Sequence, residues 1–103
     1  MLDREFFLGF VKVHILYHAS KSPIFGAEIT DELKRHGYHL GPGTLYPTLH
    51  RLKREGYLEQ HPEAVAGKVR KYYTITEHGL AVLNEARGKI RELVEEVLEN
   101  RQS

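Results

Sequence analysis

The chain has no cysteine and no tryptophan, and only one methionine in 103 residues. Without cysteine there is no disulfide framework, no thiolate metal site and no thiol redox switch. Long apolar runs are missing as well, and nothing approaches the roughly 20 consecutive apolar residues of a membrane span. The opening Met1-Leu2-Asp3-Arg4-Glu5-Phe6-Phe7 lacks the basic region and cleavage site of a secretion signal. These absences predict a soluble cytoplasmic protein. Catalytic signatures are wanting too: there is no Gly-rich phosphate loop, no nucleophile elbow and no spaced carboxylate pair. Ser20 and Ser22 sit in Ser20-Lys21-Ser22-Pro23, where they read as turn chemistry. The expectation is a protein that is not an enzyme and carries no cofactor. Net charge is only +1, and 41% of residues are apolar, enough for one small core.

The most informative stretch is Gly41-Pro42-Gly43-Thr44-Leu45-Tyr46-Pro47-Thr48-Leu49-His50-Arg51-Leu52-Lys53-Arg54-Glu55-Gly56. Leu45, Leu49 and Leu52 recur at i, i+4, i+7 and share one helical face. At about 100° per residue, Thr44, Pro47, His50, Arg51 and Arg54 fall on the other. A helix anchored by leucines and presenting guanidinium groups outward suits a DNA major groove, where arginine bonds phosphates or the guanine edge. The helix begins near Pro42. A start at Pro42 itself puts Pro47 past the first turn at a cost of about 3 kcal/mol, whereas a start with Thr44 as N-cap costs little, and a loose or bent first turn is expected in either case.

Beyond Gly56, Tyr57–His61 is strand-like, 62–67 reads as a Gly-containing loop, and Lys68–Ile75 resumes the strand, which makes a β-hairpin. Val69, Tyr73 and Ile75 share one side of the pleat; Arg70, Tyr72 and Thr74 share the other. Lys68, Arg70 and Lys71 cluster toward the loop end, where they can straddle a phosphate backbone. The charge distribution agrees. Residues 1–41 hold five Lys/Arg and five Asp/Glu, residues 42–75 six against three, and residues 76–103 four against six. The positive excess is confined to the helix and hairpin.

The remaining segments read as supporting architecture. Arg4 to His18 is apolar most of the way round, which predicts a helix buried on more than one side. A second helix runs from near Phe25 to about His36, with Ile29 and Leu33 inward and Gly37 as its stop. The last helix starts behind a Thr76 cap and continues to about Gln102. Its Leu83, Ala86, Ile90, Leu93 and Val97 fall at a and d positions of a heptad, flanked by Leu80, Val94 and Leu98. A helix of that span is about 40 Å long and outreaches the domain, so its apolar stripe calls for a second copy. Phe6, Phe10, Leu83, Ile90, Leu93 and Val97 are the expected homodimer interface.

Taken together, Gly43-Thr44-Leu45-Tyr46-Pro47, Leu49, Arg51-Leu52, Glu55-Gly56 and Leu58, with Arg70-Lys71-Tyr72-Tyr73-Thr74-Ile75-Thr76 and Gly79, resemble the PadR family of bacterial and archaeal transcriptional regulators. The resemblance spans about residues 6–100. It implies a mainly α fold with a small β-hairpin: a winged helix-turn-helix over residues 1–75, then a dimerisation helix over 76–103. It also implies a homodimer that binds double-stranded DNA at a pseudopalindromic operator, usually as a repressor released by a small effector. Carried onto this chain, Thr44, Tyr46, His50, Arg51 and Arg54 become recognition-helix contacts, and Lys68, Arg70 and Lys71 become wing contacts. Tyr46 lies on the helix flank, which suits a hydroxyl reaching phosphate. Phe25-Gly26-Ala27-Glu28-Ile29 departs from the family's frequent His-Gly-Tyr-Glu-Ile. With no tryptophan, the tryptophan-lined drug pore of some members is not expected.

Two other readings keep a place. His14 and His18 are spaced i, i+4 on the first helix, with His36 and His39 as a second pair, so a metal-responsive regulator is conceivable, although packing histidines suit such a helix better. An effector at the dimer interface would use Phe6, Phe7, Phe10 and Tyr17 as aromatic surface, with His14 and His18 as polar anchors. A winged helix repurposed for protein contacts would show an uncharged or acidic recognition face, which the arginines here argue against.

Overall fold

The computed structural model describes residues 2–99. Helix α1 spans Arg4–Lys21, strand β1 Ile24–Phe25, helix α2 Gly26–Arg35 and helix α3 Pro42–Arg54. Strands β2 (Leu58–Val65) and β3 (Lys68–Ile75) follow, then helix α4 (Glu77–Leu93), which passes into a π-helical turn at Val94–Leu98. The fold is the expected mainly helical winged helix-turn-helix with a long C-terminal helix. The expected continuation of that helix to Gln102 lies outside the described residues past Glu99.

Local chemistry accounts for most element boundaries. The Asp3 carboxylate accepts the Phe6 N–H at 3.0 Å and caps α1. Helices α2 and α3 close with the same device. Gly37 and Gly56 take positive φ, and the next N–H, from Tyr38 or Tyr57, returns 2.9 Å to the carbonyl of Leu33 or Leu52. This is a Schellman stop, available to glycine because a Cβ resists left-handed φ.

Four readings of the sequence are corrected or settled here. The sheet has three antiparallel strands in the order β1-β3-β2, because Ile24 and Phe25 pair with Tyr73 and Tyr72. A two-residue strand just after a helix-ending Pro23 leaves no period to read. The hairpin loop is also shorter than expected. Strand β2 continues through Pro62 to Val65, and only Ala66 and Gly67 turn, both with positive φ as a tight primed turn needs. Pro62 fits because β2 is an edge strand with one unpaired side.

Third, of the two starts left open for α3 the structure takes Pro42, behind Gly41, so Thr44 is not the N-cap and Pro47 lies inside the helix. Proline has no N–H to give the preceding turn, which leaves the Gly43 carbonyl without its i+4 donor; one residue on, the Thr48 hydroxyl bonds the Thr44 carbonyl at 2.8 Å. Fourth, Leu83 is only 1% exposed. It belongs to this chain's own core and is not part of a free interface.

That core gathers Val11, Ile15, Leu16 and Ala19 of α1, Ile29 and Leu33 of α2, Leu45, Leu49 and Leu52 of α3, Leu58 and Tyr73 of the sheet, and Leu83 of α4. The three leucines of α3 point inward as their spacing predicts, so the helix's other face is turned outward.

Candidate nucleic-acid interface

With its leucines buried, α3 exposes Tyr46, Pro47, His50, Arg51 and Arg54, and Thr44 is half-exposed. Among the described residues, none of Arg51, Arg54, Lys68, Arg70 or Lys71 forms an ion pair. Their charges remain available to an external anion. Lys53 is different: its ammonium bonds Gln60 at 3.0 Å, and Gln60 in turn bonds the Tyr73 hydroxyl at 3.0 Å. That chain ties α3 to the wing and fixes the angle between them.

Two further cations join the face. Arg4 and Lys12 of α1 line a cleft of about 230 Å³ together with Thr44, Pro47, Thr48 and Arg51 of α3. Nothing in the run 42–75 points to them. Their signal was the i, i+4, i+8 stripe Arg4-Leu8-Lys12, which a search for apolar periodicity passes over.

The wing divides its basic residues. Lys68 borders the tight turn, and Lys71 stands opposite Pro62. Arg70 is drawn back: its guanidinium lies 4.4 Å over the Phe25 ring, and Phe25 packs edge-on against Tyr72. A cation over an aromatic face is held by the ring quadrupole, so Arg70 braces the wing against β1. Tyr46 also has a task within the fold. A Cβ added to Gly26 would lie 2.6 Å from the Tyr46 hydroxyl oxygen, so that ring covers the start of α2 and would have to shift if Gly26 carried a side chain. The hydroxyl therefore sits at the α2 N-terminus, although the residue as a whole remains 52% exposed.

On the far side of the molecule, Phe6 and Phe10 of α1 meet Ile90 and Leu93 of α4 around an apolar trough of about 720 Å³, also lined by Gly9, Val13 and His14. Two elements far apart in sequence thus form one strip. Phe7 is not part of it, because its ring packs on Tyr38 at 5.0 Å. Tyr17 lies in an adjoining cavity with His14, His18, His36, Leu83 and Ile90. Beyond Leu93 the π-helical turn, closed by Glu99 N–H to the Val94 carbonyl at 3.0 Å, ends the regular heptad phase. Val97 and Leu98 stay exposed there, while Val94 and Glu95 are half-buried.

The histidines pair differently from their order in sequence. His36 comes to His14 and His18, with ring centroids of His14 and His36 4.7 Å apart, and His39 is left outside. Burial first, and then the neighbouring His36 and His18, lower the pKa of His14, against a smaller opposing pull from Glu32.

Comparison with known proteins now bears on this geometry. The model of the Transcriptional regulator PadR-like family matches residues 15–85, from the middle of α1 into α4. The chain belongs to the PadR-like family. It is therefore a transcriptional regulator of a DNA-binding family. A similar protein is the transcriptional regulator Rv3488 of Mycobacterium tuberculosis, 48% identical over 95 residues, covering 92% of this chain and 89% of that one. Among solved structures, a PadR-like transcriptional regulator from Bacillus cereus superposes with a TM-score of 0.84 at 31% identity, over 96% of this chain and 98% of that one. A PadR-like transcription factor from Bacteroides fragilis gives 0.78 at 34% identity, over 88% and 89%.

The PadR-like close Tyr72-Tyr73-Thr74-Ile75-Thr76 with Gly79 has a physical basis in this chain. The Thr76 hydroxyl accepts the Gly79 N–H at 2.9 Å and donates to the Gly56 carbonyl at 2.6 Å, while the Thr76 N–H reaches the Tyr57 carbonyl at 3.0 Å. A Cβ on Gly79 would fall 2.1 Å from that same Tyr57 oxygen. The motif is a joint: it fastens the C-terminal helix directly to the end of α3. No helix among the described residues is long and apolar enough to cross a membrane.

Proposed function

We propose that this regulator acts in the cytoplasm as a homodimeric repressor of a pseudopalindromic operator, without catalysis of its own. The observation that carries the reading is the pairing of two unpartnered surfaces. On one, α3 turns Arg51 and Arg54 outward beside a basic-tipped wing; on the other, the α1–α4 trough leaves Phe6, Phe10, Ile90 and Leu93 bare. Leu83, buried in its own chain, is withdrawn from that interface.

In this reading Arg51, Arg54 and His50 enter the major groove, with Thr44 at the near edge. Lys68 and Lys71 hold the phosphate backbone. Arg70 steadies the wing, and Tyr46 acts mainly by setting the angle of α2. Arg4 and Lys12 add phosphate contacts beside Arg51. Two-fold symmetry requires an inverted repeat with half-sites about one helical turn, roughly 34 Å, apart.

Selection of bound fragments from random duplexes, at stated salt, tests this. An inverted repeat is expected, and recovery of unrelated sequences with no symmetry refutes it. Arg51→Ala should change preference at one or two symmetric positions by about 1–3 kcal/mol. Lys71→Ala should weaken binding to all sequences and flatten the salt dependence by about one counterion per lost contact. If both variants alter only overall affinity, base reading does not reside on this face of α3.

Release by a small effector is the final part of the proposal. The trough is lined by Phe6, Phe10, Val13 and His14, a surface suited to a flat or phenolic ligand. Such a ligand acts only if it binds one separation of the two heads better than another; equal binding changes nothing. A panel of phenolic acids and planar cations is to be scored for release of an operator fragment, with binding measured separately. Compounds that bind without moving operator affinity, or bind a Phe10→Ala protein equally well, dispose of this part.

A further inference from the structure

His14, His18 and His36 bring one ring nitrogen each within 4.8 Å of one another. Two come from successive turns of α1, and the third is the C-cap residue of α2. Tertiary packing, not local sequence, makes the third member. Glu32, one turn before His36, places Oε2 3.7 Å from Nε2 of both His18 and His36, while its other oxygen engages Arg35. Three imidazoles and a carboxylate thus converge from two helices.

We propose that His14, His18 and His36 form a binding site for a divalent first-row transition ion of the zinc class, with the Glu32 carboxylate as fourth ligand or as acceptor orienting the rings. The donor set selects the ion. Imidazole nitrogen suits zinc, nickel, copper and cobalt, whereas magnesium and calcium need a cage of oxygens that is absent from this cluster. Zn–N bonds of about 2.0–2.1 Å in a tetrahedron put nitrogens about 3.4 Å apart, so from separations within 4.8 Å the rings must close by up to about 1.4 Å. Rotation about the side-chain torsions supplies that, since His14 and His18 are half-buried and His36 is exposed.

Packing alone explains the cluster poorly. Histidine rings stacked on one another gain little by themselves, whereas a bound ion would give the converging nitrogens one shared partner. The ion would lie between α1 and α2, beside Leu83 and Ile90 of α4. The inference concerns the ion alone and stands whether or not the operator reading holds.

The test is a titration of chelator-treated, dialysed protein with Zn(II) and with Co(II), each as the metal alone. One ion per chain is expected, with Co(II) giving the intense visible bands of a tetrahedral nitrogen-rich site and Zn(II) raising the unfolding temperature. His14→Gln and His36→Gln should each weaken binding more than about tenfold and abolish the thermal shift. His39→Gln, outside the cluster, should leave both intact. Binding that survives His14→Gln and His36→Gln unchanged, or that falls equally in His39→Gln, overturns the site. A stoichiometry well below one ion per chain does the same. His36 is exposed, so its substitution leaves the folded protein available for the comparison.

Discussion

The two halves of α4 carry the same kind of apolar stripe and meet opposite fates. In the first half, Gly79 and Leu83 are buried against the domain, the glycine by necessity and the leucine to 1% exposure. In the second, Ile90 and Leu93 stand 43% and 57% exposed, with Phe6 and Phe10 of α1 beside them. The heptad spacing does not change between Leu83 and Leu93. What changes is cover: Leu83 joins the core of its own chain, whereas Ile90 and Leu93 border an open trough with α1, in a molecule 57 Å long but only 20 Å thick. An apolar stripe shows that a surface needs covering. Whether its own chain or another covers it depends on where the domain ends.

This contrast can be broken most completely at its outer end. Replacing Ile90 and Leu93 together by Asp would place charges in a seam that must exclude water. Light scattering at micromolar concentration should report twice the chain mass for the parent and a single chain for the variant. A parent that is a well-folded monomer ends the comparison, because the outer half then needs no partner.

The inner half predicts a different signature. Leu83→Ala removes a fully enclosed side chain and should cost about 2–5 kcal/mol in denaturant unfolding. That loss should not depend on protein concentration, whereas a truncation at Leu93 should matter more in dilute solution. Equal concentration dependence at both positions would place Leu83 in the intermolecular seam after all.

Gly79→Ala probes the joint itself. The added methyl meets the Tyr57 carbonyl, a backbone atom that cannot swing aside, so about 1–3 kcal/mol or more is expected from overpacking. Operator affinity should fall as well, because the helix would be levered off the end of α3. The smallest effect is Thr76→Ala, which strips the cap from Gly79 N–H and the bond to the Gly56 carbonyl. A loss of about 1 kcal/mol in thermal unfolding is expected. An alanine as stable as the parent would mean that burial, not capping, starts α4.

Most of the candidate interface was legible before any coordinates. Leu45, Leu49 and Leu52 announced the buried face of α3, and so assigned His50, Arg51 and Arg54 to the outside. Pro47 left the start of α3 open because its missing hydrogen bond argues for a helix start, while the structure keeps it within the helix. Arg70 has a contact that the sequence did not show. Its place near the wing tip was visible, but the Phe25 ring that holds it comes from a strand with no period of its own.

The sequence alone therefore determined what recurs over a few residues: the helical stripes, the alternation of β3, the Gly37 and Gly56 stops and the Thr76 cap. Each follows from the fixed repeat of the backbone or from a side chain bonding its near neighbours. Only the tertiary structure decided which distant groups meet. It set His36 against His14 and His18, Tyr46 over Gly26, Arg4 and Lys12 beside Arg51, and Leu83 inside while Ile90 stays out. Those meetings depend on how helices pack across turns whose direction no local period encodes, and on the limited reach of one small core.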